Sequence, residues 1–324
     1  MTKKILFVVG GGFGRNVMAT AVARQIKFKY PDCILHVQAS YPDAFANLDF
    51  VDKAFPLEAI PYFHDEHKDF EIWKGEPYED LDYRNGKDHF IDTWCRLIGV
   101  DVPQKRGGTI IIDDQEKNIA DALLLQAKLD RPLIAFQYVG GTSFYDPNAA
   151  NDPTRIKHYR DLPHEIAQEV VKKLVEKGFA VLHVGLPTEK PLQNAIPIYA
   201  FSNNQVINPR WMFALLDKCA GCISIDSLLQ HTWIALGKKN ATVLWGGTRP
   251  ENLGYSENNN LFQKEICANL GCSRPSVLGD FLGNKQLWKC PFSAKCMKFN
   301  ADLIVNSFMN TCELKPTAHQ ECKR

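Results

Sequence analysis

Residues 221–249, GCISIDSLLQHTWIALGKKNATVLWGGTR, decide how this chain is read. Residues 221–225 and 242–245 are apolar runs of strand length, and the stretch between them is long enough for a short helix. The segment therefore reads as strand, helix, strand, with both strands buried. Asp226 and Ser227 stand where the first strand ends and the helix begins. In an open α/β sheet, ligands bind outside the carboxyl ends of the strands. A helix N-terminus there offers free N–H groups and about half a positive charge, which suits a phosphate. His231 lies five positions beyond Asp226, about one and a half turns into the helix. The plain alternative is that Asp226 only caps the helix and His231 is an ordinary core histidine.

The same alternation extends outward from this unit. Towards the N-terminus, the spacing predicts strands at 132–138 and 180–184 and helices at 162–177 and 210–218. Earlier still it predicts strands at 5–9, 34–38 and 53–55, a helix at 17–30, and a short helix at 43–48. Residues 61–88 break the pattern. They are rich in aromatic and charged residues and read as a long functional loop with one short strand. Helices follow at 89–99 and 113–129. Asp130-Arg131-Pro132 then breaks the chain, which places a boundary between domains 1–130 and 131–324. The fold class is α/β, with two successive doubly wound halves.

The bulk composition narrows the function classes. A chain of 324 residues has room for two domains, and 45% hydrophobic with 23% charged residues is a globular balance. A net charge of +1 gives no global electrostatic case for nucleic acid or membrane. No run approaches the length of a transmembrane helix. The opening MTKKILFVVGGGFG carries two lysines and a five-residue apolar run, then glycines with no cleavage site, so it reads as a first strand rather than a signal peptide. The expected location is the cytoplasm. There the ten cysteines would be reduced thiols or metal ligands.

Three further constellations stand out. Gly10-Gly11-Gly12-Phe13-Gly14, between the first strand and helix, is either a tight turn needing positive φ or a loop, with Gly12 and Gly14, that lets backbone approach a sugar or phosphate. Gly140-Gly141-Thr142-Ser143, with Lys157 further on, is either a polar surface loop or an oxyanion cradle with its cation. Cys267, Cys272, Cys290 and Cys296 fall within thirty residues in the Cys-rich tail segment 266–297, which has little periodic structure of its own. They are either four buried thiols or the ligands of a structural zinc or iron. Cys219 and Cys222 straddle a helix end and a buried strand and read as core.

These pieces, in this order, resemble the bacterial ADP-heptose glycosyltransferases, the heptosyltransferases of lipopolysaccharide synthesis and their relatives. The resemblance is carried by GFGRNVMATAVARQIKFKYPDCILHV, by 88–92 running to Ile98-Gly99-Val100, and by Lys157-His158-Tyr159. It is also carried by Asp226-Ser227 with His231, by Trp245-Gly246-Gly247-Thr248, and by Trp288-x-Cys290-Pro291 with Cys296-Met297. It implies the GT-B fold, two Rossmann-like domains facing across a cleft, with the donor on the C-terminal domain and the acceptor on the N-terminal one. Carried over by position, Thr142 and Ser143 would touch the diphosphate and Lys157 would be its cation. Glu189 would bond the nucleotide ribose, and Asp226, Ser227 and His231 would hold phosphate and sugar.

The implied function is transfer of a sugar from a nucleoside-diphosphate sugar to an acceptor hydroxyl, inverting and with no metal or other cofactor in catalysis. The departing diphosphate needs positive charge, and the acceptor needs a general base. Where the family often places an acid in the first loop, this chain has Arg15. Asp43, Asp82 and Asp88 are the alternative bases. Leu228 replaces the usual glycine after Asp-Ser, and about ten residues, 145–154, are inserted before Lys157. The acceptor is a saccharide, a modified DNA base or a protein side chain. A non-catalytic sugar-nucleotide-binding module is the rival of a different class.

Overall fold

The computed structural model describes residues 2–58, 60–140, 160–263, 265–267, 272 and 294–312. Its contacts divide the chain into two compact units. The first comprises Met1–Asp113 with His231–Lys238 and Glu251–Tyr255; the second comprises Asp114–Gln230, Lys239–Pro250 and Ser256–Arg324.

The first unit is built on a four-stranded parallel sheet. Its strands are β1 (Lys4–Val9), β2 (Ile34–Ala39), β3 (Lys53–Pro56) and β4 (Glu71–Trp73), in the order β3-β2-β1-β4. Between them run helix α1 (Phe13–Lys29) and the one-turn helix α2 (Phe63–Glu66). The one-turn helix α3 (Leu81–Arg84) and helix α4 (Phe90–Leu97) follow. α1 starts from Gly12 in extended conformation and ends with Lys27 and Lys29 in its last turn, where cations suit the helix dipole. Gly11 has φ +88°, the left-handed region that only glycine enters without strain. The helix expected over 43–48 is instead a single 3₁₀ turn, Pro42–Phe45. Pro42 can only begin such a turn, and Asn47, at φ +63°, ends it.

The aromatic stretch 61–88 contains the one short strand expected of it, β4, pairing parallel to β1 with Ile5 opposite Glu71 and Phe7 opposite Trp73. The stretch is anchored by rings. His67 Nδ1 meets the Phe63 carbonyl at 2.7 Å, which makes that nitrogen the N–H donor. His67 Nε2 is then the acceptor for His36 Nδ1 at 2.9 Å. Burial, then the neighbouring His67, pushes the His36 imidazole down to about 4.

The unit is completed by chain from much later in the sequence. The Ile110 amide donates to the Ala235 carbonyl at 2.9 Å, and Asn252 Nδ2 donates to the Asp88 carbonyl at 2.7 Å.

The second unit carries a six-stranded parallel sheet: β5 (Leu133–Phe136), β6 (Ala180–His183), β7 (Ile196–Pro197), β8 (Gly221–Ile225), β9 (Thr242–Trp245) and β10 (Asn259–Phe262). Their order is β10-β9-β8-β5-β6-β7. Its main helices are α5 (Asp114–Gln126), α6 (His164–Glu176) and α7 (Pro209–Lys218); α8 (Leu228–Ala235) connects β8 to β9, and its residues from His231 on belong to the first unit. α10 (Ala301–Thr311) completes the set, while the one-turn α9 (Pro250–Leu253) passes into the first unit from Glu251 on. Every residue of β5, β6, β8 and β9 is buried, as expected of parallel strands covered on both faces. α7 begins with Pro209 in its first turn, capped by Asn208 Oδ1 on the Arg210 amide. Phe136, Phe179, Ile223 and Phe308 lie in the core between sheet and helices, with Cys267 and Cys296 among them. Among the described residues, no helix is long and apolar enough to cross a membrane.

Candidate functional site

Each sheet has one place where successive strands change direction of growth, and at such a switch point the carboxyl ends of two strands open a crevice. In the first unit it lies between β1 and β4, because β2 and β3 were added on the other side of β1.

Two side chains meet there. Arg15 belongs to the first turn of α1, directly after β1, and Glu76 follows β4 by three residues. Arg15 Nη1 donates to both Glu76 oxygens, at 3.1 and 2.9 Å, and Nη2 donates to the Gly75 carbonyl at 3.4 Å. The guanidinium sits 4.8 Å from the centre of the Trp94 ring. Gly75 is tight against the same ring: a Cβ there would meet Trp94 at 2.8 Å. Glu76, Lys74, Asp80 and Asp82 line an open cavity of about 470 Å³. Asn16 ties the glycine loop to the next turn, donating to the Gly12 carbonyl at 2.9 Å and accepting from the Tyr41 amide at 3.2 Å.

Of the residues singled out in this unit, Gly12 caps α1 and Gly14 is its second residue. Asp43 lies half-buried in the 3₁₀ turn after β2. Asp82 and Asp88 are brought together with Asp80, their oxygens within 4.8 Å of one another. Basic groups hold all three. Asp82 pairs with Lys87 at 3.2 Å, Asp80 pairs with Arg96 at 3.2 Å, and Asp88 pairs with Arg96.

His231 is buried in the same unit, its Nδ1 2.8 Å from the Tyr255 hydroxyl. Beside Tyr255, His89 caps α4 by accepting from the Ile91 amide, and its Nε2–H donates to the Gly254 carbonyl at 3.1 Å. Burial is the main cause that drives the His89 imidazole down to about 3, with Arg106 and His231 adding to it. His89 is therefore a neutral, structural histidine.

In the second unit the switch point lies between β5 and β8. Asp226 emerges from β8 almost fully buried, at 1% exposure. Its Oδ1 accepts from Gln230 Nε2 at 2.8 Å. Its Oδ2 has no hydrogen bond among the described residues and lies 3.7 Å from Arg160 Nη1, which donates to the Asp226 carbonyl at 3.2 Å. From the β5 side, the Gly140 amide donates to Asp161 Oδ1 at 2.7 Å, and Gln137 Oε1 accepts from the Leu229 amide in the first turn of α8. Ser227 is half-buried at the start of that turn. At the end of β6, buried His183 stands 3.4 Å from Glu189.

Thr142, Ser143, Lys157 and Cys290 lie outside the described residues. Cys267 and Cys296 are buried, and Cys272 is half-buried. Sequence reasoning missed Glu76, Arg160, Asp161 and His183 as partners. Arg15 and Glu76 are 61 positions apart and Arg160 and Asp226 are 66 apart, so only the strand order could have paired them.

No protein-family model matches the chain, and no curated protein matches it. The fold is similar to solved structures. A glycosyl transferase family 9 structure from Veillonella parvula gives a TM-score of 0.66 at 11% identity, covering 96% of this chain and 97% of that one. The ADP-heptose lps heptosyltransferase II of E. coli gives 0.56 at 14% identity, covering 87% and 99%. TibC from enterotoxigenic E. coli, an iron-containing dodecameric glycosyltransferase, gives 0.65 at 12% identity, covering 96% and 76%. The likeness is one of fold and runs nearly end to end. In fold, the chain resembles the ADP-heptose glycosyltransferases to which its motifs pointed.

Proposed function

We propose that this protein is a GT-B glycosyltransferase that moves a sugar from a nucleoside-diphosphate sugar, of the ADP-heptose kind, to an acceptor hydroxyl. The observation that carries the reading is the charged switch point of the second sheet. There Asp226 and Arg160 meet at a strand end that leads into α8. On this proposal the N-terminal part, expected over 1–130, takes the acceptor, and the C-terminal part, expected over 131–324, takes the donor. In this reading Lys157, Thr142 and Ser143 hold the diphosphate, with Asp226, Ser227 and His231 on phosphate and sugar and Glu189 on the ribose. Positive charge at the diphosphate stabilises the leaving group, the larger catalytic contribution, and no metal is needed for it. Inversion follows from direct attack by the acceptor on the face opposite the diphosphate.

The acceptor must lose a proton. Asp43, Asp82 and Asp88 remain candidates for the base, and the structure adds Glu76. We place the base at Glu76, because it sits at the switch point of the acceptor domain and lines its cavity. A carboxylate thus stands beside Arg15 although the first loop carries none, which favours an enzyme over a non-catalytic binding module.

The test is a thermal-shift and donor-turnover panel of nucleotide-sugars. ADP-heptose should raise the melting temperature, by mass action on the folded state, and turn over with a suitable acceptor. An acceptor panel of saccharide, DNA and protein then fixes the second substrate. A protein that no nucleotide-sugar stabilises overturns the reading.

A further inference from the structure

His183 and Glu189 form a buried polar pair at the carboxyl end of β6. His183 ends β6 with its side chain 1% exposed, and the Glu189 side chain is 8% exposed. They approach to 3.4 Å. Even so, both ring nitrogens of His183 and the Oε2 of Glu189 lack a hydrogen-bond partner among the described residues. Buried polar atoms are almost always satisfied, so three orphans in one place ask for a ligand.

The backbone makes room for the pair. A Cβ at Gly185 would collide with Glu189 Oε2 and meet His183 Nε2 at 2.7 Å. Tyr138 closes one side with its ring 5.2 Å from the imidazole, and its hydroxyl is fixed on the Lys190 carbonyl at 2.6 Å. The site lies at the carboxyl end of β6, next to β5 in the sheet, on the edge where α/β proteins take ligands.

The ligand chemistry follows from the groups. A metal ion would call for more ligands, and among the described residues no third His, Cys, Asp or Glu joins the pair. A carboxylate that keeps lone pairs available suits hydroxyl donors, and a vicinal diol gives one to each oxygen, as acidic residues do for a ribose.

We infer that His183 is a positioning residue for the nucleotide's sugar. It holds the Glu189 carboxylate in the orientation that accepts the ribose diol, and so makes the site select ribo- over 2′-deoxyribonucleotides. This rests on the nucleotide-sugar reading above.

The experiment is calorimetric titration of the whole protein with ADP and with 2′-deoxy-ADP. Wild type should bind ADP about tenfold tighter, the value of roughly one charge-assisted hydrogen bond. His183→Phe should weaken ADP by about that factor and leave 2′-deoxy-ADP unchanged. His183→Gln, which keeps an N–H donor, should restore most of the difference. Gly185→Ala, which crowds the pair and removes neither group, should erase the preference in the same way and serves if His183→Phe does not fold. Equal loss of both nucleotides in the variants, or equal binding of both by wild type, overturns the inference while leaving the nucleotide reading intact. Failure of wild type to bind ADP at all overturns both.

Discussion

Arg15 grips both oxygens of Glu76, at 3.1 and 2.9 Å, and so fastens the end of β4 to the start of α1. Arg15 is 11% exposed and Glu76 31%. A pair in which one nitrogen of a largely buried guanidinium serves both carboxylate oxygens is worth more than an exposed ion pair. In a double-mutant cycle of Arg15→Ala and Glu76→Ala, followed by urea unfolding, the coupling should reach about 1–3 kcal/mol. Coupling near zero would mean that the two residues are held by other contacts.

Glu76→Gln separates the structural from the chemical role of that residue. The amide oxygen still accepts one hydrogen bond from Arg15 but the second and the charge are lost, so stability should fall by no more than about the 1–3 kcal/mol of the pair, with the fold retained. It cannot take a proton, so transfer should fall by roughly 10²–10⁴, the usual value of a general base. Unchanged turnover would return the base to Asp43, Asp82 or Asp88.

Arg160→Ala leaves the buried Asp226 carboxylate without its nearest cation among the described residues. Breaking one side of a buried pair costs up to about 3–5 kcal/mol, and Arg160, at 22% exposure, should fall at the lower end of that range. Adding Asp226→Asn removes the stranded charge and should recover most of the loss, although neither variant should transfer sugar. Two losses that simply add would show that the residues do not sense each other. His231→Ala should cut transfer at least tenfold without unfolding the protein.

The folded state holds His89 near a pKa of 3, against an ordinary value of 6.5. The fold keeps this ring neutral, while the unfolded chain takes up the proton below 6.5. The stability contribution is therefore complete above that pH and drains away as pH falls towards 3. His36, held near 4, acts in the same direction, reduced by its partial exposure. The unfolding free energy from urea titration should drop steeply between pH 6.5 and 4.5, by at most about 1.4 kcal/mol per pH unit for each histidine. In His89→Asn, which can still cap α4, the slope should be shallower. An identical slope would place the proton uptake elsewhere.

Protein purified without added metal should contain about one equivalent of iron or zinc, lost when Cys290 and Cys296 become Ser, with a lower melting temperature. A four-thiolate site can contribute on the order of 10–16 kcal/mol in small peptides. Full stability of metal-free protein would make these thiols packing residues.

The sequence was most legible where burial was uniform. β8 and β9 fall on the residues expected from their apolar runs, because parallel strands covered on both faces leave no polar position to blur the pattern. β4 was legible only as one short strand somewhere in an aromatic stretch. Three residues, Glu71 to Trp73, are too few to show a period, and Ile72 is 69% exposed. The site was half legible. Asp226 could be placed because it ends a readable strand. Glu76 could not be paired with Arg15 because their meeting depends on β4 lying beside β1, a choice made by tertiary packing and not by any local signal.

The first unit borrows residues 231–238 and 251–255 from late in the chain, and this sets a timetable for its synthesis. When Asp113 leaves the ribosome, the carbonyls of Ala235 and Gly254, to which the Ile110 amide and the His89 imidazole will donate, do not yet exist. At ordinary elongation speeds the wait is on the order of ten seconds. During that interval the nascent N-terminal half must leave buried surface and polar groups uncovered. It is a natural client for a chaperone, and it is a poor choice for expression as a fragment ending at residue 113 or 130.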